Sequence, residues 1–236
     1  MRELIVRYVK IVLYKFGIRL FRVEPAKERI FPANLELDLL FDVGANTGQY
    51  VKLIRHQGFK KQIVSFEPLS IEHRLLESLA ANDDNWQIFD RCAIGSSSGS
   101  ATINISENSF SSSLSQILSS HVDAEPKSRY IGSEEVQVYS LSEIYNSKFS
   151  SYNRVALKID VQGFEMEVLR GAQTIFDKIC FIQVELSTIP VYAKQSLYYD
   201  IDELLRDAGF HLWKVIPGFT HPRSGQQFQF DGIYIK

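Results

Sequence analysis

Short apolar runs alternate with amphipathic segments along most of the chain, and this alternation restricts the fold more than any other feature. "DLLFDV", "QIVSFEP", "WQIFDRCAIG", "VALKIDV" and "CFIQVEL" each read as a strand. "VALKIDV" is apolar at nearly every position, as a strand covered on both faces must be. Between these runs the pattern turns helical. One helix is expected over residues 47–56, closed by Gly58, and another over "SIEHRLLESLAAN" with Ser70 as its candidate N-cap. "GFEMEVLRGAQTIF" places Phe164, Val168, Leu169 and Ala172 along one side, and "YDIDELLRDAGF" stops at Gly209. "HLWKVI" and "FDGIYIK" add two final strands. The expected fold is therefore α/β: a doubly wound, mostly parallel seven-stranded sheet with helices on both faces.

Size and composition agree with one large domain plus small additions: 236 residues, 45% hydrophobic and 23% charged. Residues 35–236 form the expected main domain. A net charge of −2 gives no electrostatic footprint for nucleic acid. Residues 1–34 are different. Arg2, Arg7, Lys10, Lys15, Arg19 and Arg22 face a single acid, Glu3, and apolar residues recur at helical spacing. Charge interrupts the segment every few residues, so neither a spanning helix nor a secretory signal is expected. A basic amphipathic extension is expected instead. It docks on the domain or on a partner subunit of a homo-oligomer, or lies on an anionic membrane surface. Cys92 and Cys180 fall in apolar runs and read as buried, reduced thiols, consistent with a cytoplasmic setting.

Residues 95–140 break the alternation before the fourth strand. Thr102, Ile103, Ile105, Val136 and Val138 suggest short strands, but "GSSSGSATINISENSFSSSLSQ" between and around them is too polar for core. Composition favours a flexible surface loop within a small β/loop insertion. A long loop beside a crevice is also where lids and substrate contacts are found.

The stretch "LDLLFDVGANTGQY" carries the first chemical signal. In a doubly wound sheet, ligands bind beyond the carboxyl ends of the strands, near the switch in strand order. A tight turn there needs left-handed backbone, and a close ligand needs a missing Cβ; Gly44 and Gly48 offer both. Asn46, the residue type next best suited to left-handed backbone, stands where a dinucleotide fingerprint has its middle glycine. Glu67 ends the second strand at close to the spacing of roughly 20 residues from the first glycine that places a ribose-binding acid. Asp42 points an acid at the turn, poor for phosphate and good for a cation. S-adenosylmethionine has a ribose, an ammonium and a sulfonium, and no phosphate, which suits Asp42 plus Glu67.

"FDVGANTGQY", "FEP", "SFSSSL" and above all "LKIDVQGFEMEVLRGA" resemble the FkbM-type methyltransferases, in that family's order, over most of residues 37–236. The resemblance implies a class I S-adenosylmethionine-dependent fold that O-methylates hydroxyls of saccharides, glycolipids or natural products. It implies that Asp42, Gly44, Asn46 and Gly48 shape the methionine end of the cofactor site and that Glu67, followed by Pro68, holds the ribose. Ala93 and Ile94, at the end of the third strand, would border the adenine, and Asp160 would lie where the methyl is transferred. The family often has glutamate where this chain has Gln162, so an acid-base or metal role there is in doubt.

A sugar hydroxyl needs a proton acceptor. The candidates are Asp160, Glu185 at the end of the fifth strand, and His221 in "GFTHPRSGQQ". His56, His73 and His121 read as solvated surface and His211 as a strand start. Glu165 and Glu167 suit a helix N-terminus without any catalytic role. Lys158, two residues before Asp160, shares its face and reads either as unusual or as a paired structural residue. Asp160 and Glu185 could offer Mg²⁺ two oxygen ligands, a less favoured alternative to a metal-free site. Two other functions fit the same signals: a NAD-dependent oxidoreductase, and a non-catalytic cofactor-binding module in a glycan-assembly complex.

Overall fold

The structure, a computed structural model, describes residue 9, residues 12–15 and residues 29–236. The chain divides into two units, Met1–Leu35 and Glu36–Lys236. Of the expected basic extension, residue 9 and residues 12–15 are described and helical, residues 29–34 are described and lie in bends and turns, and the rest of that expectation lies outside the described residues. No helix among the described residues is long and apolar enough to cross a membrane.

The larger unit is built on seven strands: β1 (Leu39–Val43), β2 (Gln62–Phe66), β3 (Trp86–Ile88), β7 (Val155–Ile159), β8 (Ile179–Ser187), β9 (His211–Pro217) and β10 (Gln229–Ile235). Their order is β3-β2-β1-β7-β8-β10-β9. β1 runs parallel to both β2 and β7, and β7 to β8, while β10 is antiparallel to β8 and β9. All five residues of β1 and of β7 are buried. The connecting helices are α1 (Gln49–His56), α2 (Ser70–Ala80), α5 (Glu165–Ala172) and α6 (Tyr198–Asp207). Phe41, Phe66, Leu157 and Val184 belong to one core cluster with Val168, Leu169 and Ala172 of α5 and Ile201 and Leu205 of α6.

Two local expectations change. "WQIFDRCAIG" is two strands, not one. β3 stays in the large sheet, whereas β4 (Cys92–Gly95) joins a three-stranded sheet with β5 (Gly99–Ser106) and β6 (Tyr130–Ser140), ordered β4-β6-β5. Arg91 marks the crossing, donating to the carbonyls of Pro68 and Glu135. Ser70 does not cap α2 with its side chain. Its N–H and hydroxyl both donate to the Glu134 carboxylate of β6, so a negative group from the other sheet joins Glu72 of the first turn at that helix N-terminus. Two short helices, α3 (Ser119–Ala124) and α4 (Leu141–Ile144), flank β6.

The chain leaves β1 toward β2 and β3 on one side and returns to β7 on the other. The switch in strand order therefore lies between β1 and β7, and the residues that follow them, Gly44 and Asp160, stand at the mouth of the crevice.

Candidate functional site

The turn after β1 has left-handed backbone at Gly44 (φ 75°), Asn46 (φ 45°) and Gly48 (φ 77°). A Cβ on Gly44 would stand 1.9 Å from the Asp160 carbonyl oxygen. One on Gly48 would stand 2.9 Å from the Trp86 ring. The missing side chains thus serve packing within the protein: Gly44 lets the ends of β1 and β7 close on each other, where Asp160 N–H donates to Val43 O at 3.1 Å. Gly48 faces Trp86 and Leu76 and is not on the cavity wall described next.

Beyond this turn lies a cavity of ≈ 270 Å³. Glu67, 3% exposed, forms part of its wall. The carboxylate accepts from Asn46 N–H at 2.7 Å and Leu69 N–H at 2.8 Å, so both oxygens are fixed in direction while lone pairs remain for a ligand. Burial outweighs these two donors and pushes its pKa up to about 7. Pro68 and Ala93 also line the cavity, beside Ile94, Phe66, Ile103 and Phe164. Ala93 and Ile94 reach it from β4 of the small sheet, not from the third strand of the large one. These side chains form an apolar slot that suits a flat heterocycle.

Asp160 and Glu185 enter from the ends of β7 and β8. Between them sits Gln162, whose amide nitrogen donates to Asp160 Oδ1 at 2.7 Å and Glu185 Oε2 at 2.9 Å. Gln162 adopts φ 57°, and its Oε1 lies 2.9 Å from the Tyr192 hydroxyl. Gln229 gives Glu185 a second amide donor at 2.6 Å. Burial, then the nearby charges of Asp160, Glu165 and Asp231, hold Glu185 well above the usual carboxylate range. Glu165 turns back from the first turn of α5 to accept the N–H groups of Val161 and Gly163, bracing the loop that carries Gln162. Its role is thus more specific than helix-dipole complementarity.

Asp42 departs from expectation. It is 0% exposed and absent from the cavity wall, because alternation along β1 sends it to the opposite face from Val43. Its cation is already present: Lys158 Nζ lies 3.2 Å from Asp42 Oδ1 and donates to the carbonyls of Gly44 at 2.7 Å and Val43 at 3.4 Å. Ser65 donates to Asp42 Oδ2. Lys158 is the paired structural residue, and Asp42 holds it. His221 also lies apart: its Nδ1 accepts the N–H groups of Arg223 and Ser224 and organises an outer loop. His73 and His121 are buried, contrary to the surface reading. His73 bonds to the Phe89 carbonyl, and His121 stacks on Phe219.

The Methyltransferase FkbM domain family matches residues 42–212, well over half of the chain. The chain belongs to the FkbM methyltransferase domain family. No curated protein sequence matches it. Among solved structures it is similar to a methyltransferase FkbM from Methylobacillus flagellatus KT, with 13% identity over 89% of this chain and 48% of that one, and a TM-score of 0.49. The present chain thus spans about half the length of that protein. It is also similar to Aeropyrum pernix fibrillarin in complex with natively bound S-adenosyl-L-methionine, at 11% identity over 87% of this chain and 69% of that one, TM-score 0.47. A third is the magnesium protoporphyrin IX methyltransferase of Synechocystis PCC 6803 with bound S-adenosylmethionine, at 12% identity over 100% and 79%, TM-score 0.44.

In this FkbM domain the serine-rich segment is a wall of the site and not a loose loop. Ser109, Phe110, Ser112, Ser113 and Leu114 line the cavity, and Ser111, Ser112 and Ser113 are buried. Serine hydroxyls avoid the burial penalty because each finds a partner: Ser113 Oγ donates to Gln162 O at 2.5 Å, Ser112 Oγ accepts from Ser106 N–H at 3.0 Å, and Ser109 Oγ accepts from Asn46 Nδ2 at 3.3 Å. The available signal was the recurrence of Ser and Asn around a single Phe, a run able to satisfy itself. For a shared cation, the FkbM site offers an obstacle: amide N–H donors of Gln162 occupy the ground between Asp160 and Glu185. Among the described residues no three His, Cys, Asp or Glu side chains are grouped to hold a metal.

Proposed function

We propose that this FkbM protein transfers a methyl group from S-adenosylmethionine to a hydroxyl of a saccharide, glycolipid or natural-product acceptor. One observation carries the reading: the cavity wall has three carboxylates, Glu67, Asp160 and Glu185, and no Lys, Arg or His. Such a wall offers acceptor oxygens to hydroxyl donors and no cation to a phosphate.

When bound, S-adenosylmethionine supplies an electrophilic methyl carried on a sulfonium. The residues of this chain bind, orient and exclude water. Glu67 accepts from ribose hydroxyls with the lone pairs left by Asn46 and Leu69. Phe66, Ile94, Ile103 and Phe164 take the base and keep that end dry. Asp160, held by Gln162, orients the acceptor hydroxyl, and Glu185 behind the same amide receives its proton. A carboxyl with a raised pKa is the better proton acceptor for a weakly acidic hydroxyl once ionised. Most of the rate enhancement is assigned to positioning.

A NAD-dependent reading is disfavoured by the same wall, since a pyrophosphate would meet acids without a basic partner. Calorimetry with S-adenosylmethionine, S-adenosylhomocysteine and NAD tests the choice. Binding of the first two and not the third is expected; binding of NAD alone overturns the proposal. Methyl transfer to a panel of sugars tests turnover. Tight cofactor binding without methylation of any acceptor points to the non-catalytic module.

A further inference from the structure

A second cavity, of ≈ 280 Å³, adjoins the first. The two share Gly44, Asn46, Phe110 and Asp160, so one wall separates and connects them. α1 covers the second cavity with Gln49, Tyr50 and Leu53, and its floor comes from Lys158, Gln183 and Asp231 on β7, β8 and β10. None of Gln183, Asp231, Tyr50 or Leu53 lines the first cavity, and Asp231 reaches that site only through its charge on Glu185.

The floor is a chain of hydrogen bonds with a direction. Tyr50 OH donates to Gln183 Oε1 at 3.0 Å, and Gln183 Nε2 donates to Asp231 Oδ2 at 2.9 Å. Lys158 is the single cation on this wall, and its ammonium is consumed by Asp42, Gly44 O and Val43 O. What remains toward the cavity is acceptor capacity. Asp160 and Asp231 each take one amide N–H on one oxygen, and the second oxygen of each takes no hydrogen bond from the described residues. The rim is apolar: Leu53 is 44% exposed and Phe110 is 58% exposed. An exposed Phe beside carboxylates can cover the C–H face of a ring whose hydroxyls reach the acids.

We infer that this second cavity is the acceptor site, and that it takes an uncharged polyhydroxylated ring, with Asp231 accepting from hydroxyls remote from the reacting one and Phe110 and Leu53 covering its apolar face. The inference rests on the methyl-transfer reading for the identity of the first cavity. Because both free oxygens are carboxylate and the lysine is neutralised, the site rejects a phosphorylated or otherwise anionic form of the same ring. Asp160, common to both cavities, marks where the reacting hydroxyl meets the methyl donor.

The test uses the full chain loaded with S-adenosylhomocysteine and saturation-transfer NMR with methyl glycosides of glucose, mannose and galactose, each beside its sugar phosphate. At least one neutral glycoside should bind, with its phosphate weaker by about tenfold or more. Asp231→Asn removes the charge at constant shape, and Leu53→Trp blocks the rim from a helix position that is 44% exposed. Each should weaken the glycoside by about tenfold, while S-adenosylhomocysteine affinity changes by less than about twofold. Equal binding of glycoside and phosphate, no loss in either variant, or no glycoside bound by the loaded wild type overturns the inference. Variant-sensitive glycoside binding in a protein that fails to bind S-adenosylhomocysteine would instead overturn the methyl-donor reading and leave this site standing.

Discussion

The backbone N–H of Asn46 donates to Glu67 Oε2 at 2.7 Å, joining the turn after β1 to the acid after β2. Glu67 therefore holds the turn, and in the proposed function it also meets the ligand. Glu67→Gln keeps one acceptor oxygen and turns an NH₂ group toward either Asn46 or Leu69 N–H. An unpaired buried donor costs about 1–3 kcal/mol. Urea unfolding should show that loss, and calorimetry should show S-adenosylmethionine affinity lower by about tenfold or more. Unchanged affinity would remove Glu67 from the cofactor site.

Glu67 and Glu165 are both pushed up to about 7 by burial, from an ordinary value of 4.5. A raised acid keeps its proton longer in the native state than in the unfolded one. Its stabilising contribution is complete below 4.5 and is lost as pH rises through about 7. Carboxyl-carbon NMR should show two glutamates titrating near 7. Ligand hydroxyls prefer the ionised form, so S-adenosylmethionine should bind about tenfold more tightly near pH 8 than near pH 6, with proton release. A flat affinity across that window contradicts the assignment.

Gly44→Ala brings a Cβ within 1.9 Å of backbone at a φ of +75°, so it forces β1 and β7 apart. The expected loss exceeds about 3 kcal/mol, a backbone penalty of roughly 1–2 kcal/mol plus the clash. Gly58→Ala, at φ +93° with nothing within 4 Å, should lose only the backbone part. Denaturant midpoints compare the two, and equal losses would mean that the contact with Asp160 is not what demands a glycine.

Gln162→Glu replaces the amide between Asp160 and Glu185 by a third carboxylate. Three acids at one point need a cation. The variant should lose activity in EDTA and gain a Mg²⁺- or Mn²⁺-dependent rise in melting temperature that the wild type lacks. Full activity without metal would show that the amide is dispensable.

Glu185→Gln should lower kcat by roughly 10²–10⁴ if Glu185 receives the proton. His221→Ala should change kcat by less than about twofold, since the ring serves only its own loop. Steady-state methyl transfer decides between them, and the reverse ranking would return His221 to the site.

The alternation of apolar strands and amphipathic helices was legible because burial on both faces and a helical stripe are local patterns, visible one segment at a time. The first five residues of "VALKIDV" became β7, buried throughout, and Gly44, Asn46 and Gly48 have the left-handed backbone that their residue types advertise. "WQIFDRCAIG" read as one strand because both halves are apolar, and nothing local says that Arg91 carries the chain into another sheet. The serine-rich segment read as solvent-exposed because hydroxyls look hydrophilic until their partners, such as Gln162 O and Ser106 N–H, are brought beside them.

By itself, then, the order of residues determined the layered α/β architecture, the sharp turn after β1 and the acid that follows β2, since each depends on neighbours within a few positions or on spacing along the chain. Tertiary structure alone decided that Asp42 spends its charge on Lys158, that Gly44 yields to the Asp160 carbonyl, and that Gln162 stands between Asp160 and Glu185. Those outcomes depend on which strand ends lie side by side, and electrostatic and steric contact falls off over a few ångströms in space regardless of distance along the chain.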